Sequence, residues 1–387
     1  RKHRKGRKTM AFDGIVTAAA AYELKEKLLL GKIEKVYQPE PDELVFHIHT
    51  RNGNYRLYAS AASDHARMHL ITENPPNPPV PLAFCMLLRK HLQGGRITDI
   101  AQKGSERIIE ITLETLDELG FTVNKRLIFE IMGKHSNIIL VDLNTGKIMD
   151  SIKRVSIDVN RARQVLPGKL YEYPPEQDKI PFMEITPDQL SVISRDPKSY
   201  LGAIGGISPA AARLLAESDD PYQTLKEIRV TLASGSFRPT VYLKEDGTPG
   251  DFHVIPLGIH PEEKHFGSVS EMLDFYFVNK ESSNRIKQKS LDLEKFLSGA
   301  LSKLYLKRQR LGEDLIKAGN SDKYRLYGEL LTANIHMVQP GAETVNVLNY
   351  YDGTQIDIPL DPKIPAAKNA QRYFKKYGKA KTALKEK

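Results

Sequence analysis

An α+β fold followed by a long helical arm is what this sequence predicts, on three observations. Short runs in the first half alternate apolar and polar residues, as in LVFHIHT and NYRLYAS, which is the period of a strand. The stretch LGAIGGISPAAARLL joins two helical patterns through glycines. Further on, Ile286, Leu293, Leu297, Ala300, Leu304 and Leu311 recur on alternating four- and three-residue steps, broken by Ser290 and Lys307. That spacing is the seam of a coiled coil.

The elements follow in order. Residues 13–30 read as an amphipathic helix with Asp13 as its N-cap. Two strands flank a hairpin turn at Arg51-Asn52-Gly53-Asn54. The proline-rich NPPNPPVP leads into a helix over residues 82–92. Strands are expected over 96–100, 107–113, 127–132, 138–141 and 147–150. In FEIMGKHSNIILVD, two apolar runs flank the polar kernel Gly133, Lys134, His135, Ser136 and Asn137. A corner needs only Gly, Asn or Ser, so Lys134 and His135 point to an anion; an ordinary hairpin corner is the other reading. Residues 201–215 are close to a helix-hairpin-helix pattern, whose hairpin amides can meet a phosphate; a module built for packing alone reads equally well. Ser208 stands where a second hairpin glycine is usual. Residues 237–259 form a hairpin around Asp246-Gly247, expected to return to the first sheet. Gly319-Asn320 stops the long helix, a shorter helix covers 322–337, and residues 346–360 are a hairpin around Asp352-Gly353. The run NAQRYFKKYGKAK starts a further helix, too short here to pair with the outgoing one, which reads as a fragment of a longer protein.

The 387 residues are enough for two or three domains. Hydrophobic content of 40% and charged content of 27% describe a globular chain, and no apolar run approaches a membrane span. One cysteine, Cys85, excludes an internal disulfide and reads as a buried, inert thiol within LAFCMLLRKHL. Residues 1–9, RKHRKGRKT, are basic with no apolar stretch behind them. They read as an expression-derived or unprocessed leader before a natural start at Met10, with the cytoplasm as default compartment.

The net charge of +9 is unevenly spread. Residues 1–8 hold six basic residues and no acid, residues 280–310 nine basic and three acidic, and residues 363–387 nine basic and one acidic. A positive stripe in the C-terminal third points to a polyanion. A solvated helix face is the bland alternative.

Several of these segments resemble one family. MAFDGIVTAAAAYEL, EKVYQPEPDEL, FCMLLRKHLQGGRI, FEIMGKHSNIILVD, DSIKRV and the LDP…NAQRYFKKYGKAK segment look like the fibronectin-binding protein A family, also called NFACT proteins, of the bacterial RqcH type. The likeness runs from Met10 to the last residue; the family's C-terminal NFACT-R domain is absent. It implies a first domain similar to the N-terminal domain of formamidopyrimidine-DNA glycosylases, then a helix-hairpin-helix module and an antiparallel coiled-coil arm. The segments become a leader at 1–9, a first domain at 10–180 with 237–260 returning to it, the helical module at 185–234, the outgoing arm helix at 269–320, its tip at 321–362 and the start of the return helix at 363–387.

The resemblance implies a ribosome-associated quality-control factor. It would bind large ribosomal subunits obstructed by peptidyl-tRNA and recruit tRNA, alanyl-tRNA above all, for template-free alanine tailing of the stalled chain. It also implies a second reading, an adhesin for fibronectin or fibrinogen with non-classical surface exposure. Asp13 matches the family's early aspartate for tRNA engagement, and Glu106-Arg107 falls where an Asp-Arg pair is usual. Arginine can stack on an unpaired base or fork onto phosphate, while a carboxylate accepts from base or ribose donors. Taken alone, Asp13 is an N-cap and Glu106-Arg107 a strand-entry ion pair. Lys134 and His135 are the next phosphate candidates. Arg285, Lys287, Lys289, Lys307, Arg308, Arg310, Arg372, Lys375 and Lys376 would face rRNA. His47 with His49, and His65 with His69 one helical turn apart, are the only metal-like pairs, and no metal or cofactor is expected. Glycosylase or lyase chemistry is not expected either: those enzymes start on a proline amine followed by glutamate, and this start reads Met-Ala-Phe-Asp.

Overall fold

A computed structural model describes residues 12–258 and 262–385, apart from the side chains of residues 281–289, 317–318 and 383–385. The chain forms two compact units, divided between residues 284 and 285.

The first unit opens with α1 (Gly14–Leu28), started by Asp13, whose Oδ1 accepts from the Val16 amide at 2.9 Å. The expected amphipathic helix is instead buried on most sides: Ile15, Val16, Ala19, Ala20, Leu24 and Leu28 are at most 1% exposed. Its alanines let other elements approach from several directions. The elements that follow are β1 (Lys32–Tyr37), β2 (Glu43–Thr50), β3 (Gly53–Ser60), β4 (Arg67–Ile71), α2 (Ala83–Leu92), β5 (Arg96–Gln102), β6 (Ile108–Leu116), β7 (Thr122–Glu130), β8 (Asn137–Asp142) and β9 (Ile148–Ser151). The strands make one nine-stranded sheet in the order β4-β3-β2-β1-β5-β6-β7-β8-β9. β1 and β5 share a single residue pair, Lys32 with Arg96. Phe46 on β2 and Phe129 on β7 nonetheless meet edge to face at 6.5 Å. Flat strands four places apart would be about 19 Å from each other, so the sheet folds over and closes a core between its halves.

The sequence pattern misses β1 and β4. His69 lies in strand β4, not one helical turn from His65. Its ring is buried beside Arg67, whose guanidinium is held between the Tyr58 ring at 4.7 Å and the Phe277 ring at 4.5 Å. Burial, and then Arg67, draw the His69 pKa down to about 3.

After β10 (Ile180–Pro181) come α3 (Pro187–Ser191), α4 (Pro197–Ala203), β11 (Ile204–Gly205), α5 (Pro209–Glu217) and α6 (Pro221–Ser234). β10 and β11 pair in parallel, which ties the chain before the module to the hairpin inside it. The next strands, β12 (Thr240–Leu243), β13 (Pro249–His253) and β14 (Glu262–His265), form their own sheet in the order β13-β12-β14. The described part of this return segment, residues 237–258, thus does not rejoin the first sheet; it returns to its core by side chains, with Phe252 stacked edge-on to Phe12 at 6.4 Å.

The long helix α7 (Val269–Gly319) gives its first turns to this core, where Val269, Met272 and Leu273 are buried. In the second unit α8 (Ser321–Ala333), β15 (Thr344–Leu348), β16 (Gln355–Pro359) and α9 (Ala366–Lys385) surround Leu330, Leu331, Val347 and Ile358. The coiled-coil seam is not closed. Leu293, Leu297 and Leu304 are 58%, 56% and 63% exposed. In α9, Ala370 and Tyr373 pack into the core it shares with α8. Among the described residues no helix is long and apolar enough to cross a membrane.

Candidate nucleic-acid interface

The strand register brings five strand ends to one rim. Gln102 pairs with Ile109, Ile108 with Glu130, Glu130 with Asn137, and Ile139 with Ser151. The β5–β6 turn, the β7–β8 corner and the end of β9 therefore share an edge. The start of α1 is tied to it by Gln102, whose Nε2 donates to Gly14 O and to Glu106 O, both at 2.8 Å.

A cleft of about 230 Å³ opens there. Asp13, Glu106 and Arg107 all line it, together with Lys179, Gly205 and Ser208. Sequence reasoning had named the first three, and the fold gathers them. Glu106 is exposed and Arg107 half-buried. Burial draws the Arg107 pKa down, and the charges of Glu106 and Asp13 partly offset it. Ser105, also on the wall, is buried, and its Oγ has no hydrogen-bond partner among the described residues.

Asp13 sits at the back of the cleft, 4% exposed. Beyond the helix cap, its Oδ2 accepts from the Ser208 amide at 3.1 Å and faces His253 Nε2 at 3.0 Å. Burial pushes the carboxyl up, but the donors from His253, Val16 and Ser208 outweigh it and hold the group below its ordinary value. The module's hairpin thus spends one amide on a carboxylate of the same chain. Gly206 allows the close approach, with φ +85° and its carbonyl accepting from Gly14 N at 2.8 Å.

Lys134 and His135 lie on a short turn, Gly133–His135, and are exposed. Their neighbours hold the corner: Ser136 Oγ accepts from Met132 N at 2.8 Å, and Asn137 bonds to both the N and O of Lys153. Lys134 and His135 are outside the cleft lining; the Ile131 amide just before their turn donates to Arg107 O at 2.8 Å.

The arm cations belong to the second unit. Arg285, Lys287 and Lys289 have side chains outside the described residues. Lys307, Arg308, Arg310, Arg372, Lys375 and Lys376 are exposed. Arg372 is already paired with Asp361 at 2.7 Å, and Lys376 sits over the Tyr324 and Tyr373 rings at 5.4 and 5.6 Å. The histidine pairs do not converge: His47 meets Asn74 and His49 meets Asn54. Sequence reasoning missed Lys179, Ser105 and His253. No local signal marks a lone lysine in a loop, or a histidine whose partner is 240 positions away.

Comparison with known proteins agrees with this architecture. The family model of NFACT N-terminal and middle domains matches residues 13–386. The Rqc2 homolog RqcH of Bacillus subtilis is 37% identical over 392 residues, covering 97% of this chain and 68% of that protein. The RqcH of Streptococcus suis is 35% identical over 381 residues, with the same coverage. Among solved structures, the N-terminal part of the fibronectin/fibrinogen-binding protein from Streptococcus suis superposes with a TM-score of 0.62 at 34% identity, over 69% of this chain and 98% of that one. Matched along nearly its whole described length, the chain belongs to the NFACT family.

Proposed function

We propose that this protein is an RNA-binding factor of ribosome-associated quality control. It engages tRNA through the cleft and binds large ribosomal subunits obstructed by peptidyl-tRNA. The tRNA is alanyl-tRNA above all, recruited for template-free alanine tailing of the stalled chain; the protein acts as a recruiting factor and not as a lyase. One observation carries the reading: Asp13, Glu106 and Arg107, spread over 95 positions of sequence, line a single cleft. The cleft offers a stacking or phosphate-forking guanidinium, an exposed carboxylate and the cation of Lys179, the groups that meet a base and its backbone. Lys134 and His135, exposed on the next corner, are further candidates for phosphate contacts. The exposed basic residues of α7 and α9 supply the rRNA contacts.

Arg107→Ala is expected to weaken tRNA binding by about 10- to 100-fold, the loss of one stacking or bidentate contact, about 1–3 kcal/mol. Binding titrations at several salt concentrations read this directly. Wild-type affinity should also fall steeply as salt rises. A folded Arg107→Ala protein that binds tRNA as tightly as wild type would sink the assignment.

A further inference from the structure

We propose that Asp13 is a positioning residue: it clamps the module's hairpin against α1 and β13, and the cleft's affinity for RNA depends on that clamp and not on a contact between Asp13 and RNA. The proposal rests on the RNA-binding reading of the cleft and reassigns one of its residues.

Three elements far apart in sequence converge on one carboxylate. The Val16 amide donates to Oδ1 at 2.9 Å, the Ser208 amide to Oδ2 at 3.1 Å, and His253 meets Oδ2 at 3.0 Å. The ring's proton can be placed. The Ile255 amide donates to His253 Nδ1 at 3.3 Å, so Nδ1 is the acceptor and the hydrogen is on Nε2, aimed at Asp13. His253 is 1% exposed and is not part of the cleft lining.

The Ser208 amide lies at the N-cap of α5, a nine-residue helix in which Pro209 has no N–H and the Ala211 amide already donates to Ser208 Oγ, and a helix start favours a negative charge. Asp13 fills that place from within the chain. A second link runs beside it, from Gly14 N to Gly206 O at 2.8 Å. Both fasten residues 205–208 to the start of α1, and Gly205 and Ser208 line the cleft together with Glu106 and Arg107. Oδ2 already meets two buried groups and the residue is 4% exposed, so RNA that bonded Oδ2 would have to displace one of them and leave it unpaired, which is the costly direction of exchange. Holding residues 205–208 in place requires no such exchange.

The test uses tRNA affinity and hydrogen exchange on the whole chain with Asp13→Ala, Asp13→Asn, His253→Ala and His253→Gln, each checked for folding by circular dichroism. His253→Ala removes a side chain that RNA cannot reach, yet should weaken tRNA binding by about tenfold or more, the loss of one charge-assisted bond. His253→Gln, which can donate from a similar place, should restore affinity. Asp13→Asn should fall as far as Asp13→Ala, because its amide nitrogen would confront two donors. Exchange at the Ser208 amide should accelerate in both alanine variants and slow again in His253→Gln.

If Asp13 touches RNA itself, Asp13→Asn loses affinity while a folded His253→Ala protein binds as wild type; that result overturns the proposal, as does unchanged Ser208 exchange in His253→Ala. Failure of the wild-type protein to bind tRNA would instead overturn the functional reading. The exchange measurement would still decide whether the clamp exists.

Discussion

Glu130→Ala is expected to destabilise the first unit by about 3–5 kcal/mol, the cost of stripping one partner from a buried ion pair. Glu130 belongs to the FEI segment at the end of β7, and its side chain is 1% exposed. Arg163 meets it with two parallel bonds, Nη1 to Oε2 at 2.9 Å and Nη2 to Oε1 at 2.5 Å, and the Tyr171 hydroxyl donates to Oε1 at 2.9 Å. The carboxylate therefore fastens the segment after β9 back onto the sheet. Alanine would leave a guanidinium that is itself 10% exposed without its counter-charge, and a tyrosine hydroxyl without its acceptor. Denaturant unfolding should show a lowered midpoint with unchanged slope. Removing both charges with apolar residues of similar volume should cost less than removing Glu130 alone. A loss below about 1 kcal/mol would mean the pair is no more than a surface bridge.

Gly14→Ala should be nearly as damaging, by a different route. Alanine in a helix is ordinarily better than glycine by about 0.5–1 kcal/mol. Here a Cβ would lie 2.3 Å from Ser105 O, 2.7 Å from Gly206 O and 2.8 Å from Gly206 Cα. All three are backbone atoms and cannot swing aside. Overpacking costs about 1–3 kcal/mol, occasionally more, and three backbone clashes put this site at the top of that range, so the clash decides the sign. The hairpin must then move away from α1, and tRNA affinity should fall together with stability. Gly202→Ala in α4 is the control: nothing lies within 4 Å of its added Cβ, and that variant should keep both. Equal stability and affinity for Gly14→Ala would contradict the close packing on which the cleft depends.

Local features were legible in the sequence because their causes are local. Asp13 caps α1 through a residue three positions on, and the corner at 133–137 follows from Gly, Ser and Asn chemistry. The hairpin around Asp352-Gly353 formed as its turn residues demand, with Gly353 at φ +76°. What escaped were features made by distant partners. β4 alternates only over Arg67 to Leu70, and its two polar residues, Arg67 and His69, are buried, with Arg67 stacked between Tyr58 of the next strand and Phe277, a ring that the sequence places far away. The burial of α1 on most sides follows from a sheet that folds over, which strand periodicity does not encode. The seam of α7 has coiled-coil spacing, but spacing cannot supply a facing helix. At the site, Asp13 and Glu106-Arg107 came from the family resemblance. Their meeting in one cleft, and the part of His253 behind it, needed the fold.

The proposed tRNA contact of this cleft runs through Arg107. Sequencing the RNA that co-purifies with the wild-type protein and with Arg107→Ala from the same cells tests it most directly. tRNA is expected to dominate the wild-type sample and to be lost from the variant. Matching RNA profiles from the two proteins, or a wild-type sample without tRNA enrichment, would contradict it.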